Sequence, residues 1–354
     1  MKIKLISNMY PSKEDLLFGV FVKKTVKNLT QLGAIFTKEI VIKGKRNNFF
    51  KKIFAYFNYY FKAIKNIFSK DEDVIYVHFL THNIPVLLFY LKFRKTPIVL
   101  NLHGSDINKV KESSFTDKIQ GKILNKVTQI IVPSMYFKEV LRKRYQLKTP
   151  IYIYPSGGIN TELFKPASLK QNENFIISFV SRIDKGKGWK TFLTLVEKMN
   201  QSGIETEALI AGDGKEKEVL LEAIKNHPYK NQITYLGFQE KEKLANIYQQ
   251  SDAFIFATEL PESLGLVGLE AMACGSIVFA RKIGGPAYYI NNNENGFLFL
   301  DDDDLFSRIT EFYNTSSERK NNLKKNAITT AIKYNSKEVS LNLYKNFTRI
   351  HEQN

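Results

Sequence analysis

The sequence predicts an α/β chain folded as two doubly wound Rossmann-like domains. That expectation rests on three features. Short β-rich runs recur along all 354 residues, amphipathic helical segments separate most of them, and a glycine-marked stretch near the middle divides them into two sets. Continuous apolar strands alternating with helices are the pattern of parallel sheets covered on both faces. At roughly 150 residues per domain, the length also fits two such sheets.

In the first half, strands are expected at Lys2–Ser7, Asp73–His78, Ile98–His103, Gln129–Ser134 and Ile151–Pro155, with an amphipathic helix at Val20–Leu32. Ser156–Pro166, which contains Gly157, Gly158 and Pro166, reads as the linker. In the second half, strands are expected at Phe175–Arg182, Ala208–Gly212, Ile233–Phe238, Ala253–Thr258, Ser276–Ala280 and Gly296–Leu300. Helices are expected at Lys215–Lys225 and Lys241–Gln250. The domains are therefore 1–160 and 161–335.

Composition narrows the class. Hydrophobic residues make up 44% and charged residues 25%, too apolar for a disordered chain. One cysteine excludes a disulfide scaffold and a cysteine-based metal site, and no metal-ligand spacing is visible among five histidines. The first seventeen residues lack the apolar core of a signal peptide, being broken by Asn8 and Pro11. The longest clean apolar run, Ile84 to Leu91, is far short of the ~20 residues of a membrane span. An intracellular protein that does not cross the bilayer is expected.

The charge is one-sided. Residues 1–165 hold 29 basic and 11 acidic residues, a net of +18, whereas the remainder nets −1. A low-GC genome would enrich lysine in both halves; an excess in one half points to a polyanionic partner. The densest stretch is Lys43–Lys70, with eight basic and no acidic residues. At helical spacing, Phe50, Ile53, Phe54, Phe57, Phe61, Ile64 and Phe68 share one face, and Lys51, Lys52, Lys62 and Lys65 fall largely off it. Two readings are compatible with that pattern: a basic aromatic anchor on an anionic membrane surface, or a helix burying its phenylalanines against the first sheet. Stacking of nucleic-acid bases on the rings is a third use of such residues.

In doubly wound sheets, ligands lie beyond the carboxyl ends of the strands. Polar residues cluster there: His103-Gly104-Ser105-Asp106, Arg182 with Lys187, Gly212-Asp213-Gly214, and Glu259 to Glu262. The strongest local feature is Glu262-Ser263-Leu264-Gly265-Leu266-Val267-Gly268-Leu269-Glu270. Gly265–Cys274 reads as a helix closed by Gly275. Leu264, Gly265 and Leu266 would then offer backbone N–H groups at the positive end of the helix dipole, a ready phosphate site. Glu262 would precede the helix, and Glu270 would reach hydroxyls of a group attached to those phosphates. Arg182 and Lys187 would neutralise a diphosphate from the neighbouring strand end.

This segment resembles the E-x7-E signature of the family 4 retaining glycosyltransferases, which adopt the two-domain GT-B fold. The resemblance runs through most of the chain in order. Phe18-Gly19 resembles the first loop, Asp73 to His78 the second-strand motif, and His103-Gly104-Ser105-Asp106 the acceptor-side motif. Pro155-Ser156-Gly157-Gly158 to Pro166 resembles the crossover, Ser181-Arg182 to Lys187-Gly188 the donor motif, and Gly284-Gly285-Pro286 the last loop. The chain departs from the family with Phe18 and Ser181 where glycine is common, and with Ala287 and Tyr288 where a glutamate is common.

The resemblance implies an interdomain cleft and a final helix, 336–354, returning to the first domain. It makes the first domain acceptor-binding and the second nucleotide-sugar-binding. It implies that Arg182 and Lys187 bind the donor diphosphate, that Glu262 contacts the donor sugar and that Glu270 contacts the ribose. Gly19, Gly212, Asp213, Phe238, Leu264, Gly265 and Leu266 complete the donor side. His103 would face the reacting centre, and His78 and Asp106 would lie on the acceptor side. No cofactor or divalent metal is expected. The expected partners are a nucleotide-diphosphate sugar, a lipid-linked acceptor of cell-surface polysaccharide synthesis and an anionic membrane surface engaged through 43–70, with no nucleic acid. That places the protein on the cytoplasmic face of the membrane. A soluble transferase acting on protein or a small molecule is the alternative. A non-catalytic polyanion binder would need none of Arg182, Lys187, Glu262, Glu270 and His103.

Overall fold

The computed structural model describes residues 1–16, 18–46, 48–69, 71–108, 110–167 and 174–353. The chain divides into two compact units, Met1–Gly158 with Lys337–Asn354, and Ile159–Ser336.

The first unit holds β1 (Lys2–Tyr10), α1 (Val20–Gln31), β2 (Ile35–Lys43), α2 (Phe49–Lys65), β3 (Val74–His78), α3 (Ile84–Phe93) and β4 (Ile98–Asn101). It continues with α4 (Ser105–Asn108), α5 (Phe115–Leu124), β5 (Gln129–Val132), α6 (Met135–Arg144) and β6 (Ile151–Ile153). The strands form a parallel sheet in the order β2-β1-β3-β4-β5-β6. Central strands are covered on both faces, so β3 is buried along its whole length. Lys4 on β1 is also fully buried, and its ammonium pairs with Glu72, which Arg94 engages as well, each at 2.8 Å. A buried cation persists only when paired in this way.

The second unit holds β7 (Phe175–Val180), α7 (Trp189–Gln201), β8 (Thr206–Ala211), α8 (Lys217–Lys225), β9 (Ile233–Gly237), α9 (Lys241–Gln250) and β10 (Ala253–Phe256). It ends with α10 (Leu266–Ala273), β11 (Ile277–Arg281), β12 (Phe297–Phe299), α11 (Asp302–Asn314) and α12 (Ser317–Ile332). Its parallel sheet runs β12-β11-β10-β7-β8-β9. The order reverses between β7 and β10, which makes their carboxyl ends the switch point where such sheets hold ligands.

Crossing between the units demands unusual backbone. Ser156, Gly157 and Gly158 have φ of 49°, 81° and 65°, conformations that favour glycine. The returning helix is α13 (Ser336–Glu352). Val339, Leu343, Phe347 and Ile350 form its buried stripe and join Ile3, Leu5, Val74 and Tyr76 in one core cluster of the first unit.

The structure departs from the sequence expectation in two ways, an unexpected strand and the ends of the elements. The edge strand β2 was not anticipated; only Ile40 and Ile42 along it are buried. Most strands end one or two residues before the expected position, because His103, Arg182, Gly212 and Phe238 already lie beyond the sheet, whereas β1 runs three residues past it to Tyr10. Helix α8 begins at Lys217, α1 ends at Gln31 and α10 spans Leu266–Ala273 within the expected Gly265–Cys274. For α2 the sequence left two readings open. Its phenylalanines do not pack on the sheet: Phe50, Phe54, Phe57 and Phe61 are all exposed, as is Phe68 beyond the helix end. Tyr59 and Ala63 are buried in their place. Lys70, at the end of the basic stretch, lies outside the described residues. Among the described residues no helix is long and apolar enough to cross a membrane.

Candidate active site

In the second unit, the loop after β7 carries Arg182 and Lys187 and the loop after β10 carries Glu262. Backbone hydrogen bonding ties these loops together: Glu259 N–H donates to the Gly186 carbonyl at 2.9 Å, and Thr258 Oγ1 donates to the same oxygen at 3.3 Å. Gly188, the residue before α7, has φ 88°, and a Cβ there would lie 2.1 Å from the Ala257 carbonyl oxygen. Only glycine allows this approach. The result is that Lys187 Nζ forms an ion pair with Glu262 Oε1. Lys187 is 8% exposed, so its charge is largely shielded from water.

The Glu262 loop is fixed from the other side by the loop after β11. Gly285 N–H donates to the Glu262 carbonyl at 2.7 Å, and a Cβ on Gly284 would strike Glu262 backbone atoms at 2.7 Å. Gly265, in the left-handed conformation at φ 82°, precedes α10. Its carbonyl accepts from Gly268 N–H at 3.1 Å and from the Tyr289 hydroxyl at 3.0 Å. Leu264 is buried, while Gly265 and Leu266 are partly exposed. The first turn of α10 therefore follows directly on the Glu262 loop after β10, close in the chain to the Lys187–Glu262 pair. Glu270 lies on the second turn, partly buried, and its carboxylate helps burial push the Cys274 thiol up to about 12.

Around this core, Arg182 is exposed and its guanidinium bonds Asp184 Oδ2 at 2.7 Å. Gly212, at φ 141°, sits where a Cβ would lie 1.8 Å from the Ser181 carbonyl oxygen. Asp213 accepts Ile183 N–H through its carbonyl at 3.0 Å. Phe238, just past β9, is 61% exposed. Sequence reasoning missed Asp184. Besides Arg182 it accepts Lys215 N–H at 2.9 Å, fastening the loop after β8 to that after β7. Its signal was available as the acid within Arg182-Ile183-Asp184-Lys185-Gly186-Lys187.

The first unit brings together His78, His103 and Asp106. His78 closes β3 and His103 follows β4; His78 Nδ1 and His103 Nε2 are 3.0 Å apart. Buried Asp106 accepts His103 N–H at 3.1 Å and Leu80 N–H at 3.3 Å, while burial raises its carboxyl to about 6 against those bonds. His103 packs on Phe21 and Phe79, with ring centroids 4.6 and 4.4 Å away. Burial lowers it to about 3, so its ring is neutral at ordinary pH. His78 is likewise held well below the usual histidine range, by burial and by His103. Gly19, at φ 74°, precedes α1, and a Cβ there would lie 2.6 Å from the Met9 carbonyl carbon; packing against the end of β1 by itself requires glycine. Among the described residues no group of three or more His, Cys, Asp or Glu is arranged to hold a metal ion.

Comparison with known proteins bears on both units. Residues 160–330 match the model described as glycosyl transferases group 1, and residues 29–162 match that of glycosyltransferase family 4. The chain is 24% identical over 248 residues to N-acetyl-alpha-D-glucosaminyl L-malate synthase of Bacillus anthracis, covering 65% of this chain and 61% of that protein. It is 27% identical over 265 residues to alpha-monoglucosyldiacylglycerol synthase of Acholeplasma laidlawii, covering 67% and 65%. The chain thus spans a little over three fifths of the length of these relatives. Among solved structures, sucrose-phosphate synthase from Thermosynechococcus elongatus superposes with a TM-score of 0.79 at 18% identity over 100% of both chains. Anabaena HepE in complex with UDP and glucose gives 0.73 at 17% identity, covering 99% of this chain and 100% of that one. With these matches and its two parallel six-stranded sheets, the chain belongs to the family 4 glycosyltransferases and has the GT-B fold.

Proposed function

We propose that this protein transfers a sugar from a nucleoside-diphosphate sugar to an acceptor with retention at the anomeric carbon. The observation that carries the reading is the Lys187–Glu262 ion pair beside the N-terminus of α10. A cation and helix N–H groups together match a diphosphate, and a carboxylate among them matches sugar hydroxyls. In this reading Arg182 and Lys187 hold the diphosphate, Leu264, Gly265 and Leu266 present backbone to it, Glu262 contacts the sugar and Glu270 the ribose. Gly212, Asp213 and Phe238 line the nucleoside end, and Gly19 belongs to the donor side of the first unit. As the glycosidic bond breaks, the leaving diphosphate gains charge, and these pre-oriented groups stabilise it. That neutralisation requires no divalent metal.

His103 serves the reacting centre as a neutral imidazole, with His78 and Asp106 holding it. The acceptor is a lipid-linked oligosaccharide of cell-surface polysaccharide synthesis, met by a peripheral enzyme at the cytoplasmic face of the membrane. The diacylglycerol named for the Acholeplasma relative supports an acceptor carried on lipid. The test is calorimetric binding and hydrolysis of UDP-, GDP- and dTDP-sugars. One donor should bind and be turned over, and binding should weaken in Glu270→Gln. Absence of binding to all three would refute the reading.

A further inference from the structure

The two faces of α2 are built from different aromatics. Its inner face carries tyrosines with engaged hydroxyls: Tyr59 bonds Asn83 Oδ1, and Tyr60 donates to the His82 carbonyl at 2.8 Å. The outer face carries Phe50, Ile53, Phe54, Phe57, Phe61 and Ile64, each between 43% and 77% exposed. Phe68 extends this surface and meets Phe93 of α3 at 6.4 Å; Phe93 in turn stacks on Phe89 at 6.3 Å. Leu88, Phe89 and Phe93 are themselves 44–48% exposed. Rings that could place a hydroxyl in water are therefore inside, and bare rings are outside. A contiguous exposed patch of this kind marks a surface that another phase or partner covers.

Charge identifies the occupant. Residues 43–69 contain no Asp or Glu. Along one flank of the aromatic stripe, between α2 and β2, runs a groove of about 720 Å³ lined by Lys43, Arg46, Lys51, Asn58 and Lys62. Glu39 also lines it and is engaged by the Tyr10 hydroxyl. A second copy of the chain docked face to face would bring two such sets of cations together. An anionic bilayer supplies both an apolar phase for the phenylalanines and phosphates for the groove.

We propose that the joint α2–α3 face docks on an anionic phospholipid bilayer. The phenylalanine stripe enters the boundary between headgroups and acyl chains, and the groove beside β2 seats headgroup phosphates. The surface gives the proposed lipid-linked acceptor a place to be met, but its test needs no sugar donor, so the two readings fail separately.

The experiment is co-sedimentation of the full chain with phosphatidylcholine vesicles, with and without phosphatidylglycerol. Binding should be at least tenfold tighter with phosphatidylglycerol and should weaken with salt. Combined Lys51→Glu and Lys62→Glu should cost a further tenfold, about 1.4 kcal/mol. Phe54→Ser with Phe57→Ser and Phe61→Ser should abolish binding while leaving thermal unfolding unchanged, since none of the three is buried. As a second readout, Phe57→Trp should shift its fluorescence to the blue on vesicles, against the constant signal of buried Trp189. Equal binding to both vesicle types, no binding, or full binding by the folded serine variant would overturn the proposal. So would self-association without vesicles that the serine variant removes, because the face would then belong to a second copy.

Discussion

Lys187 has two possible duties, and they separate by measurement. In the unliganded chain it neutralises Glu262; in the proposed complex it neutralises a diphosphate. Lys187→Met keeps the apolar stem of this 8%-exposed residue and removes the charge. A hydrogen bond to a charged group contributes about 1.5–3 kcal/mol. The Glu262 side chain is 32% exposed, so water takes back part of that when the pair is lost. The stability loss should be about 1 kcal/mol, a few degrees of melting temperature. The donor's diphosphate has no such substitute inside the site, so its Kd should rise roughly ten- to hundredfold. The assay is calorimetry with the nucleoside diphosphate beside a thermal melt, repeated in a Glu262→Gln background. There the stability loss from Lys187→Met should nearly vanish while the affinity loss persists. If the affinity loss also vanishes, Lys187 acts solely by holding Glu262, and the phosphate assignment is wrong.

Glu270→Gln should raise donor Kd about tenfold with an unchanged melt, since the residue is only partly buried; calorimetry checks it, and equal affinity removes Glu270 from the site. His103→Ala should leave donor affinity intact and lower transfer at least tenfold; a collapse in donor affinity would make it a donor ligand. Gly188→Ala must place a Cβ against the Ala257 carbonyl at a φ of 88° and should destabilise by about 2–4 kcal/mol, read as a fall in denaturation midpoint. His103, lowered to about 3, contributes stability that is present above its unfolded value of 6.5 and lost as pH falls toward 3. Asp106, raised to about 6, works oppositely: its contribution is present below 3.8 and lost as pH rises through 6. Asp106→Asn should therefore steepen the acid-side loss seen in denaturant titrations, and an unchanged slope would refute that assignment.

Nearly all of the alternation of strands and helices was legible, because buried parallel strands are short unbroken apolar runs. Strand β2 escaped because it lies at a sheet edge and its apolar residues are interrupted by the polar run Thr37-Lys38-Glu39. Strand ends were placed too late for a related reason. His103 and Gly212 follow apolar residues without a break in pattern, and only Ser181 stands between the apolar run and Arg182, yet the chain leaves the sheet there to build the site. Periodicity found the stripe of α2 but not its direction, since Tyr56, Tyr59 and Ala63 offered the sheet a second apolar face. The residue types of the donor site were readable from spacing within one loop. The pairing of Lys187 with Glu262 was not, because 75 residues separate them and only the adjacency of β7 and β10 brings them together.

The position of α13 has a consequence for synthesis. The core around Ile3, Leu5, Val74 and Tyr76 is completed by Val339, Leu343 and Phe347. A ribosome makes the first strands early, yet their covering helix emerges after the whole of Ile159–Ser336. The second unit is contiguous and can fold as soon as it clears the exit tunnel. The first unit must wait with one face of its sheet only partly covered, by Val22, Val26 and Leu29 of α1, so the part translated first is finished last. Chaperone dependence should track that interval, and a chain stalled before Lys337 should expose the part of the β1 and β3 face that α13 covers.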